Sequence, residues 1–221
     1  MLPLHEPRFW TALVVSGVAL FAISRGVDVA GFAIADMSAD DSTLTTRLAP
    51  WTTKSGVAAL ALSRLVKAAP RVDAETRRQW AGELLSNAPL DAYAWVALAG
   101  LRFKTGEPAE KGVTALAMSS LTGPNEGWIM ARRAVLALPL WQVLPPDSRR
   151  GAMSDLVAGG YYVSQLEWTA LRATLSLQTP SLREDLRAAL ISAGGARFAE
   201  ALGLDAPPTP ARDAAPAARA P

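Results

Sequence analysis

The 221 residues suffice for one domain with a sizeable core plus further segments, and half are hydrophobic, a fraction that points to a membrane segment. There is no cysteine and a single histidine, which excludes disulfides, thiolate catalysis and cysteine-held zinc or iron–sulfur sites. A net charge of +2, made of three Arg against five acids in residues 1–50 and nineteen basic against fifteen acidic groups thereafter, is too small to imply nucleic acid as a partner.

Residues 9–24, FWTALVVSGVALFAIS, are free of charge between Arg8 and Arg25. As a helix they cover roughly 24 Å, and the flanking residues extend them toward the ~30 Å of a hydrocarbon core. Trp10 stands where an interfacial aromatic anchor belongs. Residues 1–35 are read as a single-pass membrane anchor. A cleaved signal peptide is the rival reading, with Arg8 as its basic region, although no small-x-small site closes it because Ile23 separates Ala22 from Ser24. Each flank has one nearby Arg, so the free amino group alone tips the count toward an inside amino terminus. This places the rest of the chain on the periplasmic side of a bacterial inner membrane. Residues 26–44 mix apolar and acidic residues and read as a helix continuation or a juxtamembrane linker, and residues 36–50 are assigned as the linker.

From residue 51 to 205 the pattern is a succession of helix-length segments with no sustained period of two, so the fold class expected is all-α. Segments at 51–68 and 73–86 stop before Pro70 and Pro89, the second opening on Asp73 as a cap. Asp91 opens 91–104, and Pro108 sits in the first turn of 108–121. Asn125 caps 126–142, which Pro145-Pro146 ends. A helix over 147–158 closes on Gly159-Gly160, and another covers 161–178. Ser181 and Glu184 have capping-box spacing and start a helix over 182–193, and a short helix runs to about Leu202. Residues 206–221 hold only Ala, Pro, Thr, Arg and Asp, and are expected to be a disordered tail.

Pro89 and Pro124 are 35 residues apart, and each closes a helix-and-turn segment. Between them, Trp95 and Leu98, the small residues Ala99, Gly112 and Ser119, the turn at Gly106 and the closing Pro124 resemble a tetratricopeptide repeat. Weaker copies flank it at 51–88 and 126–158. The resemblance implies an N-terminal transmembrane helix followed by a tetratricopeptide-like α-solenoid over 51–205. It also implies a partner-binding groove along the first helix of the repeat, at Tyr93, Val96, Gly100, Phe103 and Lys104. Val96 and Gly100 stand where family members that clamp a peptide carboxylate carry polar residues, so no such ligand is implied. With the anchor and the stretch LTGPNEGW…ARRA…LALPLW…LPPDSRR, the chain also resembles small anchored repeat proteins that accompany exopolysaccharide or O-antigen assembly in proteobacteria.

No residue set supplies nucleophile, base and oxyanion donor together, so no catalytic residue, metal or cofactor is assigned, a small-molecule ligand is not expected and the protein is read as a non-enzyme. His5 precedes the span, Ser154 lies in no G-x-S-x-G elbow, and the glycine pairs at 159–160 and 194–195 read as helix ends. Glu107 with Glu110, and Glu184 with Asp185, occupy helix starts where carboxylates favour the dipole. Most tryptophans are assigned to packing.

Four arginines remain. On a helical wheel Trp128, Ala131, Val135 and Leu138 form one face, with Arg132 at its margin and Arg133 toward solvent. One reading pairs an edge arginine with Asp147 or Asp155. The other joins Arg132, Arg133, Arg149 and Arg150 into a basic patch for an acidic partner. The expected function is a membrane-anchored scaffold or adaptor for protein partners, themselves integral to the membrane, in envelope polysaccharide assembly. The alternatives are an accessory subunit of a larger integral membrane complex and an anionic-polymer-binding module.

Overall fold

The computed structural model describes residues 7–68 and 72–205. Those residues are all-α: eleven α-helices and three short 3-10 segments, with no strand among them. His5, the expected stop at Pro70 and the expected tail lie outside the described residues. The chain divides into two units, residues up to Ala115 and from Leu116 onward.

The first unit opens with α1 (Pro7–Met37), whose stretch Trp10–Met37 is long and apolar enough to cross a membrane. Leu13, Val14, Val15, Val18, Leu20, Phe21 and Ile23 are all exposed, so among the described residues this part of α1 is apolar on every side and joins no core. A helix of that kind suits a lipid surrounding. Beyond Arg25 the character changes. Phe32 is buried with Leu44, Leu48, Val57, Ala61 and Leu65, and Trp51 meets its ring edge-on at 6.3 Å. Asp36 pairs with Arg64 at 2.8 Å.

The structure therefore corrects the 36–50 linker. That segment carries α2 (Leu44–Leu48) and a 3-10 turn over Ala49–Trp51, with Leu44 and Leu48 among the most buried side chains. An amphipathic turn that can lay two leucines against Phe32 has no reason to stay extended in water.

Next come α3 (Ala58–Ala68), α4 (Ala74–Asn87), α5 (Ala92–Lys104) and α6 (Ala109–Thr122). The first of these segments starts seven residues later than the expected 51, because the chain turns through Gly56 at φ +100°, a conformation that favours glycine. Two faces of α3 are buried. Ala61 and Leu65 point to the Phe32 core, while Leu62 and Val66 join Ala81, Leu84, Leu85, Ala94, Leu98 and Leu101 of α4 and α5. Asp73 and Asp91 cap α4 and α5 as expected, each accepting from a backbone N–H three residues on, at 2.9 Å.

The second unit begins within α6, at Leu116, and holds α7 (Gly127–Ala137), a 3-10 segment over Leu138–Val143, α8 (Pro146–Gly159), α9 (Gln165–Ser176), α10 (Pro180–Ser192) and α11 (Ala196–Ala201). The single segment expected over 126–142 is broken because Pro139 has no N–H to donate, so α7 stops at Ala137 and tightens to 3-10 geometry. Glu126 rather than Asn125 precedes the helix. The core gathers Leu138, Leu156, Leu175, Leu186 and Leu190, with Trp168 stacked on Phe198 at 5.8 Å.

Ser181–Glu184 is not a capping box. Thr179 caps α10 by accepting from Leu182 N–H at 3.3 Å, because Pro180 is preorganised for the first helical turn and moves the start upstream. The box lies instead at Ser164 and Glu167, where α9 begins; the expected single helix over 161–178 is interrupted before it.

Gly159 is more than a helix end. A Cβ there would lie 2.5 Å from the carbonyl oxygen of Gly127 and 2.7 Å from the N of Ala131, both backbone atoms of α7. Gly159→Ala is expected to lose about 1–3 kcal/mol, the usual range for overpacking. Gly151→Ala, at an exposed α8 position with open space, is expected to gain up to about 1 kcal/mol from helix propensity. Urea titrations of both variants followed by circular dichroism check the pair.

Candidate partner-binding surfaces

Residues on α5 were expected to line a groove. Val96 is buried at 7 % exposure, Phe103 is half-buried with its ring against the position a Cβ of Gly112 would fill, and Tyr93 is half-buried with the Lys67 ammonium 5.1 Å from its ring centroid. Gly100 is half-buried, and only Lys104 of the five is exposed. The structure thus brings Val96 and Phe103 into packing and leaves Lys104 to face solvent.

The arginines part company more sharply. Arg133, expected toward solvent, is 3 % exposed. Its Nε and Nη2 donate to the two Asp155 carboxylate oxygens at 2.7 and 2.8 Å, and its Nη1 donates to the carbonyls of Ser119 at 3.1 Å and Gly123 at 3.0 Å. Arg132, placed by the wheel at the core margin, is exposed and pairs with Glu167. The reason is phase. Arg133 shares its face with Ile129 and Ala137, four residues either side, and both are buried; Arg132 shares an edge with Trp128, which is 41 % exposed.

Arg149 is half-buried. Its Nε donates to the Leu144 carbonyl at 2.9 Å and its Nη2 to that of Gln142 at 3.2 Å, while the guanidinium lies 5.5 Å from the Trp141 ring centroid. Arg150 is exposed and pairs with Asp147 one turn back. Of the four, Arg133 leaves the expected basic patch altogether, and Arg132 meets a carboxylate on α9.

Glu167 carries two duties, as the second half of the α9 capping box and as the acid for Arg132. Ser164 N–H donates to it at 2.9 Å, and the Ser164 hydroxyl lies 2.7 Å from the same oxygen. Burial pushes the Glu167 carboxyl up, but the Ser164 donors and Arg132 outweigh it, so the group titrates below the ordinary glutamate range. A depressed carboxylate adds stability that is fully present above its unfolded value near 4.5 and lost as pH falls through the folded value. The gap in melting temperature between the natural chain and Glu167→Gln is therefore expected to be largest near neutral pH and to close on the acid side. Melts at several pH values measure it.

Two concavities border these residues. One, of about 350 Å³, is lined by Leu116, Leu121, Ala137, Leu144 and Ala152, with the Arg133–Asp155 pair in its wall. The other, of about 670 Å³, lies between α8 and α10, with Trp141, Met153, Val157 and Ala189 as apolar lining and Arg149 and Arg150 contributing guanidinium groups. No carboxylate lines the second. Neither groove was legible in sequence, because each joins side chains from segments whose packing depends on where α7 ends. Among the described residues no three His, Cys, Asp or Glu side chains gather as a metal site needs.

Fold and surfaces define an all-helical protein with one N-terminal helix able to cross a membrane. Comparison with protein families, with characterised proteins and with solved structures finds no match.

Proposed function

We propose that this protein is a non-enzymatic, membrane-anchored scaffold whose helical units hold partner proteins at the bilayer. The observation that carries the reading is α1: an all-round apolar half that is exposed in this chain runs without interruption into a half whose Phe32 is part of a core. Such a helix mounts the first unit directly on the membrane, and tethering there raises the local concentration of a membrane partner.

Helices that follow one another through short turns, with Trp95 and Leu98 on the α3–α4 side of α5, support the tetratricopeptide-like reading. The proposed setting is the bacterial inner membrane with the helical units in the periplasm, and the proposed context is envelope polysaccharide assembly. Photo-crosslinkers placed in the full chain at Lys104, at Arg150 and at Val18 on α1 test the proposal. Partner adducts from Lys104 or Arg150 are expected. Adducts from Val18 alone would favour an accessory subunit held only by its membrane helix.

The two guanidinium groups that Arg149 and Arg150 bring to the α8–α10 groove, the second of them also paired with Asp147, support a second reading, the binding of an anionic polymer there. Arg150→Gln should then weaken retention on an immobilised polyuronate in low salt. Equal retention sinks that reading.

A further inference from the structure

Arg25 is the first charge after the uncharged half of α1, and it does not reach into open solvent. Its Nη1 donates to the Ser55 carbonyl and its Nη2 to the Ser55 hydroxyl at 3.1 Å, while the guanidinium lies 5.1 Å from the centroid of the Phe21 ring one turn back. Space for it exists because residue 56 is glycine: a Cβ on Gly56 would overlap Arg25 Nη1. Seven residues further along α1, Trp51 lies against Phe32 and its ring comes within 2.5 Å of where a Gly31 Cβ would stand. The turn over residues 51–56 is therefore fastened to α1 at two levels, at Arg25 and at Gly31–Phe32.

The distance between those levels decides where the turn lies. Seven helical residues rise about 10 Å. The headgroup layer on each side of a bilayer is on the order of 5–8 Å thick. If residues up to Ser24 cross the hydrocarbon, the span from Arg25 to Phe32 traverses the headgroups, and the turn beside it traverses them too. Thr53, Lys54, Ser55 and Gly56 are all exposed there, and none is a large apolar residue. The turn is closed by its own backbone, with Val57 and Ala58 N–H donating to the Lys54 carbonyl at 3.1 and 2.9 Å, so its outer surface is preformed.

We infer that the turn at residues 52–56 is a lipid-docking surface that sits in the phospholipid headgroup layer, with the Lys54 ammonium meeting lipid phosphate. The inference rests on the reading of α1 as a membrane span. A basic side chain at such depth gains about 1 kcal/mol from an anionic surface, equivalent to about a fivefold bias toward the docked position.

The chain has no cysteine, so single labels can be placed without background. Full-length protein carrying an environment-sensitive fluorophore at Thr53→Cys or at Ser16→Cys is reconstituted into phosphatidylcholine vesicles with and without phosphatidylglycerol. Quenching by a headgroup nitroxide, by an acyl-chain nitroxide and by aqueous iodide is compared. The Thr53 label is expected to respond to the headgroup quencher and the Ser16 label to the acyl-chain quencher. Adding Lys54→Gln, which removes the one basic charge, should shift the Thr53 label toward iodide by about fivefold in phosphatidylglycerol vesicles. A Thr53 label quenched by iodide as fully as free fluorophore, with Ser16 still in hydrocarbon, overturns the inference. Iodide access at Ser16 overturns the membrane-span reading itself.

Discussion

Arg133→Ala is expected to destabilise the second unit by about 3–5 kcal/mol, the cost of leaving one member of a buried ion pair uncompensated. The loss falls on several groups together: both Asp155 oxygens lose a donor, and so do the carbonyls of Ser119 and Gly123, at a position where Arg133 is only 3 % exposed. Arg133→Lys should recover little, because a single ammonium cannot reproduce a planar fork that meets both carboxylate oxygens and two carbonyls. Arg132→Ala, one residue away, should cost under about 1 kcal/mol, since the Arg132 side chain is 54 % exposed and its pair with Glu167 is solvent-screened. Denaturant unfolding of the three variants in detergent measures the contrast. Equal losses at 132 and 133 would contradict the arrangement. The double variant Arg133→Met with Asp155→Leu should restore much of the stability, since what costs most is an unpartnered charge rather than the absence of the pair.

Phe32→Ala is expected to cost about 3–5 kcal/mol in the unfolding of the first unit, in line with truncation of a buried aromatic. Phe32 is 9 % exposed and belongs to α1, the same helix whose earlier residues touch no core. Its ring closes a cluster of Leu44, Leu48, Val57 and Leu65, and it supplies the edge-on partner of Trp51. Val18→Ala on the same helix should leave that unfolding unchanged, because Val18 is 63 % exposed and contributes nothing to the core. A melt that responds to Val18 as strongly as to Phe32 would mean that the apolar half of α1 packs within the protein.

Local signals carried the sequence reading where it succeeded. Asp73 and Asp91 cap helices because a short Asp carboxylate at the N-cap reaches the otherwise unpaired backbone N–H three residues on, and the all-α class follows from the absence of alternation. Where two local signals compete, the outcome was less legible. Pro180 next to Ser181 draws the helix start to Thr179, and Pro139 converts the end of a continuous-looking helix into 3-10 geometry.

The candidate site depended on information that is not local at all. Which of Arg132 and Arg133 is buried turns on how wide an arc of α7 its neighbours cover. That arc includes Ile129, Arg133, Ala134 and Ala137, and a wheel centred on Trp128 misplaces it. Gly159 reads as a terminator in sequence, and only the approach of the α7 backbone shows why no Cβ fits. The continuation of α1 past Arg25 is one of two readings the sequence leaves open, and what decides it is not local: Asp36 answers Arg64 on α3, Phe32 enters a core, and the helix runs on to Met37.

The central claim is that α1 crosses the membrane with its uncharged half and enters the first core with the other. A single-cysteine scan from Leu13 to Met37 in this cysteine-free chain, labelled with a membrane-impermeant maleimide in native membranes, tests it most directly. The account predicts protection at Leu13, Val14, Val18, Leu20 and Ile23, and labelling at Ala30, Ile34 and Met37, which lie beyond Arg25 on exposed positions. Labelling at every position, protection running unbroken through Met37, or a mature chain that begins after residue 24 would contradict it.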